Sequence, residues 1–218
     1  MRNGESGPGE NLPSLYPYVA EDVMSLCRPR AGVWLDVGAG SGGVGLALAA
    51  RSPESVLVLL DPRADALGSA LAAASEQGLE SRVVTVLGRA EEMPLADACV
   101  DLAVSRGSIF FWDDPAQGLK EVHRVLRPGG KAMIGGGLGA GYPAWARREF
   151  TRRRHEGVRR NGPEAVRRFR ELRESGTFRR WARDAGLADF EVAGEGGLPA
   201  DDPAAGLGIW VRFAKEST

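Results

Sequence analysis

Residues 33–51 read VWLDVGAGSGGVGLALAAR: an apolar run that ends in an acid, a glycine turn, then a small-residue stretch of helical character. A chain with this order is committed to strand, tight turn and helix in immediate succession, the opening unit of an α/β sheet. Gly38, Gly40 and Gly42 lack the side chains that would keep a ligand off the backbone, and Ala39 lies in the same turn. The helix that follows points its first N–H groups back at the turn, where a polar group is welcome. The segment therefore predicts a nucleotide-like ligand bound at the turn.

Asp36, still on the strand, sharpens the choice of ligand. In the dinucleotide fingerprint the glycines hold a pyrophosphate, which an acid just upstream would repel. A cationic ligand would welcome it. S-adenosylmethionine carries a sulfonium and an ammonium and no phosphate, so it fits better than NAD. The next run, Ser55–Leu60 (SVLVLL), reads as a buried parallel strand ending at Asp61. An acid about 20 residues beyond the turn is placed to accept from a ribose diol. Asp61 with Pro62 can also open a loop and cap the helix that follows. The two roles are compatible.

Strand and helix patterns alternate along the chain, with strands near 33–37, 56–60, 82–87, 100–105 and 131–135 and helices near 43–51, 63–77 and 115–126. Long crossovers make the sheet parallel and doubly wound, and ligands in such sheets bind at the carboxyl ends of the strands. Gly38, Asp61, Arg89 and Ser105 all fall at those ends. Beyond Gly141 the pattern changes to arginine-rich helices, 144–160 and 163–185, and then to two last strands near 188–194 and 207–214.

These pieces together resemble a class I, Rossmann-like S-adenosylmethionine-dependent methyltransferase of the small type that includes the ubiquinone and menaquinone biosynthesis enzymes. The matching segments are LDVGAGSGG at 35–43, LLDP at 59–62, GRAEEMPL at 88–95, VDLAVSRGSIFFWDDP at 100–115 and EVHRVLRPGGKAMIGGG at 121–137. The SRGSIFFW segment is closer still to an archaeal and bacterial subgroup of these enzymes. The resemblance implies a mostly parallel seven-stranded sheet closed by an antiparallel last strand. It implies one domain over 1–218: an N-terminal lid segment (1–30), a cofactor-binding core (31–140), a helical substrate-covering insertion (141–187) and a C-terminal hairpin (188–218). It also implies S-adenosyl-L-methionine as the cofactor, with no metal.

The third site segment, Arg89-Ala90-Glu91, departs from the family, which commonly has an acid where Arg89 stands. Arginine cannot accept a hydrogen bond, so adenine is left to the backbone, to Glu91, or to stacking under the guanidinium. The fourth segment joins Ser105 and Arg106 to Phe110-Phe111-Trp112, where related enzymes often carry a histidine pair. The aromatics can form core or an apolar wall beside the methyl group. Arg106 follows a buried strand, and a buried arginine calls for an acid, with Asp36 and Asp113 the candidates, or else for an anionic substrate.

Tyr16 and Tyr18, before the first strand, are expected near the ligands. Tyr18, Arg106 and His155 are the candidate catalytic groups, whereas His123 sits on a scaffold helix. From Arg147 to Arg183 there are 14 arginines, but Glu149, Glu156, Glu164, Glu171 and Glu174 are interleaved at helical spacing, and base-stacking aromatics are not. That pattern favours a salt-bridged exposed helix over a nucleic-acid face. A net charge of −1 and two distant cysteines, Cys27 and Cys99, recruit neither nucleic acid, membrane nor metal. No apolar run approaches the ~20 residues that span a bilayer, and MRNGESGPGE has no apolar leader core, so a cytoplasmic monomer or homodimer is expected. The sequence thus points to methyl transfer to a small molecule. The alternatives are a cofactor-binding regulator without catalysis, an RNA methyltransferase, or a nicotinamide oxidoreductase.

Overall fold

Side chains alternate across a strand, and on β1 (Val33–Val37) that alternation separates two helical layers. Leu35 and Val37 pack with one buried cluster, whereas Trp34 packs with another. The computed structural model describes residues 11–200 and 207–217. The proposed leaderless opening and the outer part of the lid segment (1–10) lie outside those residues, as do 201–206 and 218 of the hairpin.

The sheet has seven strands in the order β3-β2-β1-β4-β5-β7-β6. The other strands are β2 (Val56–Asp61), β3 (Val83–Leu87), β4 (Val100–Arg106), β5 (Leu126–Gly136), β6 (Glu191–Ala193) and β7 (Ile209–Ala214). β1 to β5 pair in parallel, and β7 runs antiparallel to both β5 and β6. This is the Rossmann-like methyltransferase architecture expected from the sequence. β5 begins at Leu126, earlier than the expected 131: Leu126 pairs with Val100, and the register shifts across Pro128-Gly129-Gly130 before Lys131 pairs with Leu102.

On one face lie α1 (Tyr16–Cys27), α2 (Gly43–Ala49) and α3 (Ala64–Glu76). Val19, Ala20 and Val23 of α1 are buried with Val44 and Leu48 of α2 against Trp34, Met133 and Trp210. On the other face α4 (Pro115–Val125) buries Leu119, Val122 and Val125 beside Phe178 and Ala182 of α7 (Ser175–Asp184). The DDP sequence explains where α4 begins: Asp114 accepts from Gln117 N–H at 3.0 Å, and Pro115 takes the first helical position.

One expectation is corrected. The arginine-rich helix 163–185 is broken into α6 (Gly162–Glu171) and α7, because Glu174 is extended and Thr177 Oγ1 donates to Glu171 O at 2.9 Å. α7 can then turn its apolar side into the core, while α6 buries no residue. In the expected N-terminal lid segment, α1 packs into the core through Val19, Ala20 and Val23. Asp22 on α1 also accepts from Ala140 N–H at 2.9 Å and Gly196 N–H at 3.3 Å. The remaining helix, α5 (Ala144–Arg160), buries only Ala146.

Candidate active site

A cavity of about 750 Å³ opens at the carboxyl ends of β1, β2, β4 and β5, within the size range of small-molecule sites. Its floor is the glycine turn. Gly38 and Gly40 have φ of +68° and +54°, a left-handed backbone that side chains resist. A Cβ on Gly38 would fall 2.3 Å from that of Ser108, while one on Gly40 would meet nothing within 4 Å. Gly40 is therefore the place where backbone stands open to a ligand. Its N–H donates to Asp61 Oδ2 at 2.9 Å, and Arg63 N–H donates to Oδ1 at 3.0 Å. The Asp61 carboxylate thus both fastens the turn and lines the cavity beside Pro62.

Arg89, Ala90 and Glu91 also line the cavity. The Arg89 guanidinium is bonded to Asp113 and lies 3.6 Å from Glu91. Glu91 Oε1 accepts from Asp113 N–H at 2.7 Å and Asp114 N–H at 3.4 Å, so the loop after β3 is tied to the loop after β4. Behind it, Glu121 accepts from Met93 N–H and Arg124 donates to Met93 O and Leu95 O. The Arg124 guanidinium holds the Glu121 carboxyl below its usual range. Glu91 is consequently spent on structure and is no free reader of adenine. Asp113, which also lines the cavity, is a residue the sequence offered only as a partner for Arg106.

Arg106 does not make the expected ion pair. Its Nε donates to Gly137 O at 3.0 Å, while Asp113 belongs to Arg89 and Asp36 to α2. Burial pulls its pKa below the ordinary value, partly offset by Tyr16 and Glu195. Phe110, Phe111 and Trp112 all line the cavity. Phe110 also packs edge-on against Phe178 at 6.0 Å, Trp112 Nε1 donates to Ser108 Oγ at 3.1 Å, and Phe111 is 78% exposed at the rim.

Several predicted site residues lie behind the cavity wall. Asp36 shares the β1 face of Trp34, so it points at α2 and accepts from Gly45 N–H at 2.9 Å. It is 3% exposed, and burial, with a smaller push from Asp61 and against the pull of Gly45 N–H, raises its pKa to about 7. Its work is to dock α2, and it greets no ligand directly. Ser105 is fully buried and bonded to Ser108, whose Oγ donates to Val37 O at 2.7 Å. Gly42 is buried at the start of α2, with φ +82°, and Ala39 N–H is taken by Leu60 O at 3.0 Å. The Tyr16 ring covers Gly43, and Tyr18 packs edge-on against Tyr142 at 5.4 Å. His155 packs against Phe169 at 5.9 Å and lines a second cavity of about 390 Å³. His123 lies 6.3 Å from the Phe213 ring, as befits a scaffold position.

The sequence reading expected an insertion at 141–187 over the substrate but named none of the residues with which it lines the cavity. Phe150 and Arg154 descend from α5, Arg173 from the break between α6 and α7, and Gly137 and Leu138 close the side at the end of β5. Glu195, 2% exposed, holds that edge by accepting from Leu138 N–H and from Gly139 N–H at 2.9 Å, and burial raises its pKa. Breaks inside arginine-rich helices leave little trace in composition. The Ser175-Gly176 pair is the one local signal.

An S-adenosylmethionine molecule fits these residues: an open glycine edge, a carboxylate for a ribose and an apolar wall share one cavity. Among the described residues no cluster of His, Cys, Asp and Glu could hold a metal.

Residues 35–134 match the profile of the methyltransferase domain family. A 2-methyl-6-phytyl-1,4-hydroquinone methyltransferase from the chloroplast of Spinacia oleracea is 36% identical over 118 residues, 54% of this chain and 32% of that protein. An uncharacterized methyltransferase of Mycobacterium tuberculosis is 39% identical over 130 residues, 60% of this chain and 45% of that protein. The match thus spans 32% to 45% of the length of these curated relatives. The structure of a Methanococcus maripaludis protein assigned as an S-adenosyl-L-methionine-dependent methyltransferase superposes over 99% of both chains, with a TM-score of 0.76 and 26% identity. Residues 35–134 thus carry a methyltransferase domain, and the fold around them is the one seen in S-adenosylmethionine-dependent methyltransferases.

Proposed function

We propose that this protein transfers a methyl group from S-adenosyl-L-methionine to a small-molecule acceptor. The observation that carries the reading is the meeting of Gly40, open to the cavity, with the Asp61 carboxylate that holds it. The cofactor, when bound, supplies a methyl group on a sulfonium, a good leaving group. The chain's own task is then alignment and exclusion of water, which needs no metal or covalent intermediate. Gly38 and Gly40 take the amino-acid end of the cofactor, and Asp61 beside Pro62 takes the ribose. Ala90, with Arg89 and the Asp113 carboxylate it holds, takes the adenine. Phe110, Phe111 and Trp112 form the apolar wall beside the methyl group.

A small acceptor is supported by the enclosed roof and by the relative named for a hydroquinone acceptor. An RNA acceptor is disfavoured, because Arg152, Arg153 and Arg167 are engaged with Glu149, Glu156, Glu164 and Glu171. No helix among the described residues is long and apolar enough to cross a membrane. The free thiols of Cys27 and Cys99 support a reducing, cytoplasmic setting.

Calorimetry with S-adenosylmethionine, S-adenosylhomocysteine and NAD, followed by transfer of a labelled methyl group to an acceptor panel, tests the reading. Binding of the two sulfur compounds with turnover is expected. Preference for NAD would overturn it, and tight binding without turnover on any acceptor would favour a regulator that has lost catalysis.

A further inference from the structure

Three arginines line the cavity with no carboxylate bonded to any of them among the described residues. Arg106 comes from the end of β4, Arg154 from α5 and Arg173 from the break between α6 and α7. Their isolation stands out against their neighbours. On α5, Arg152 and Arg153 are held by Glu149 and Glu156, and Arg147 lies 3.6 Å from Glu195, yet Arg154 bypasses these acids. Arg173 is clamped between two rings, 4.2 Å from the centre of Phe110 and 4.0 Å from that of Phe169, and its Nε is buried without a partner. Arg154 lies 5.5 Å from the Phe169 centre. Rings fix the planes of these side chains and leave their edges free to donate.

The nearby acids are engaged elsewhere. Asp61 accepts from two backbone N–H groups, Asp113 is bonded to Arg89, and Glu195 serves Leu138 and Gly139. Burial, and then repulsion from Arg154 and from Arg106, push the Arg173 pKa down to about 10, so the cluster costs stability as it stands. Like charges held together in a cleft are a mark of a ligand of opposite sign. The cofactor alone cannot supply it, because its one carboxylate is outnumbered by three guanidinium groups and its net charge is positive.

We infer that the methyl acceptor is an anion, an apolar or aromatic body bearing a carboxylate or phosphate that Arg106, Arg154 and Arg173 bind under the roof of the cavity. The aromatic wall of Phe110, Phe111 and Trp112 faces the body of such a molecule, and the planar guanidinium edges suit the oxygens of its head. The inference rests on the methyltransferase reading for the identity of the second ligand.

Protein saturated with S-adenosylhomocysteine is titrated by calorimetry with benzoate, phenyl phosphate and uncharged benzyl alcohol. At least one anion should bind about tenfold or more tightly than the alcohol. That preference should fall about tenfold in Arg154→Gln and in Arg173→Met, with affinity for S-adenosylhomocysteine within about threefold of wild type. Met keeps an apolar chain between the two rings. If that variant does not fold, exposed Arg154→Gln carries the test. Equal binding of alcohol and anions, or unchanged anion affinity in the folded variants, would overturn the inference. So would anion binding only in the absence of S-adenosylhomocysteine together with lost cofactor affinity in the variants, since the arginines would then hold the cofactor's own carboxylate. Failure of S-adenosylhomocysteine to bind wild type would instead sink the methyltransferase reading, and titration of the free protein would then judge the arginine cluster by itself.

Discussion

Asp61, the last residue of β2, accepts the Gly40 N–H at 2.9 Å and so ties the end of one strand to the turn after its neighbour. The same carboxylate is the one available to a ribose. Asp61→Ala should weaken S-adenosylhomocysteine binding by about 1.5–3 kcal/mol, the range for hydrogen bonds to a charged group. It should also destabilise the fold by about 1–3 kcal/mol, because Gly40 and Arg63 N–H groups lose their acceptor. Asp61→Asn keeps one acceptor oxygen and should fall between. Calorimetry and chemical denaturation read the two effects separately, and a stability loss without any affinity loss would leave Asp61 a purely structural role.

Gly40→Val separates fold from binding at the same turn. With nothing within 4 Å of its Cβ, the cost to the fold is the left-handed φ of +54° alone, about 1–2 kcal/mol. The branched side chain then fills the space next to the backbone, and cofactor binding should be abolished in a folded protein. Unchanged affinity in that variant would remove the glycine turn from the site.

Asp36 should make stability depend on pH. Its carboxyl is pushed up to about 7 in the folded protein from an ordinary 3.8. Between those values the folded state holds a proton that the unfolded chain has released, so stability declines as pH rises from about 4 to about 7 and levels off above. At 1.36 kcal/mol per unit the ceiling is about 4 kcal/mol. Asp36→Asn retains an acceptor for Gly45 N–H and should flatten the slope between pH 5 and pH 8, leaving the same-signed share from Asp22 and Glu195. Urea denaturation at the two pH values measures it, and an identical slope in the variant would show that Asp36 is ionised throughout.

The contrast between Asp36 and Asp61 shows what was legible beforehand. Both acids stand near the ends of apolar strands, Asp61 last in β2 and Asp36 next to last in β1, and the pattern of strands, turns and crossovers foretold the sheet. What an acid meets depends on how far along the strand it stands: Asp36 pairs with Leu59, two residues short of Asp61. Asp36 sits on the Trp34 side against Gly45, and only packing with α2 discloses it. Arg173 was hidden for a related reason: its place depends on a helix break whose cause is the pull of Phe178 and Ala182 into the core, a tertiary effect with little local signature. Arg106 was expected to find an acid because burial demands one, and its availability is visible only once Asp113 and Asp36 are seen to be taken.

Arg89 and Asp113 form an exposed pair, so removing it should cost the fold little, within about 1 kcal/mol. Its place at the cavity predicts a different readout. Asp113→Ala should reduce S-adenosylhomocysteine affinity by about tenfold, while a ligand lacking the adenine amino group should bind wild type and variant alike. Equal loss for both ligands would assign the pair to loop positioning only.

The roof should be the mobile part of the molecule. α5 buries a single residue and α6 none, whereas α1 is packed into the core and anchored through Asp22. Elements with few buried apolar contacts open at low free energy, so their amides exchange fast unless a ligand bridges them to the core. Arg154 and Arg173 provide that bridge, because both reach the cavity from the roof. Hydrogen exchange should therefore slow across 144–174 when S-adenosylhomocysteine and an anionic acceptor analogue are added together, with α1 already protected in the free protein. Closure of this kind excludes water from the reacting centre. Uniform protection of 144–174 without ligands would mean a fixed roof, and fast exchange in α1 would restore a lid role to the N-terminal segment.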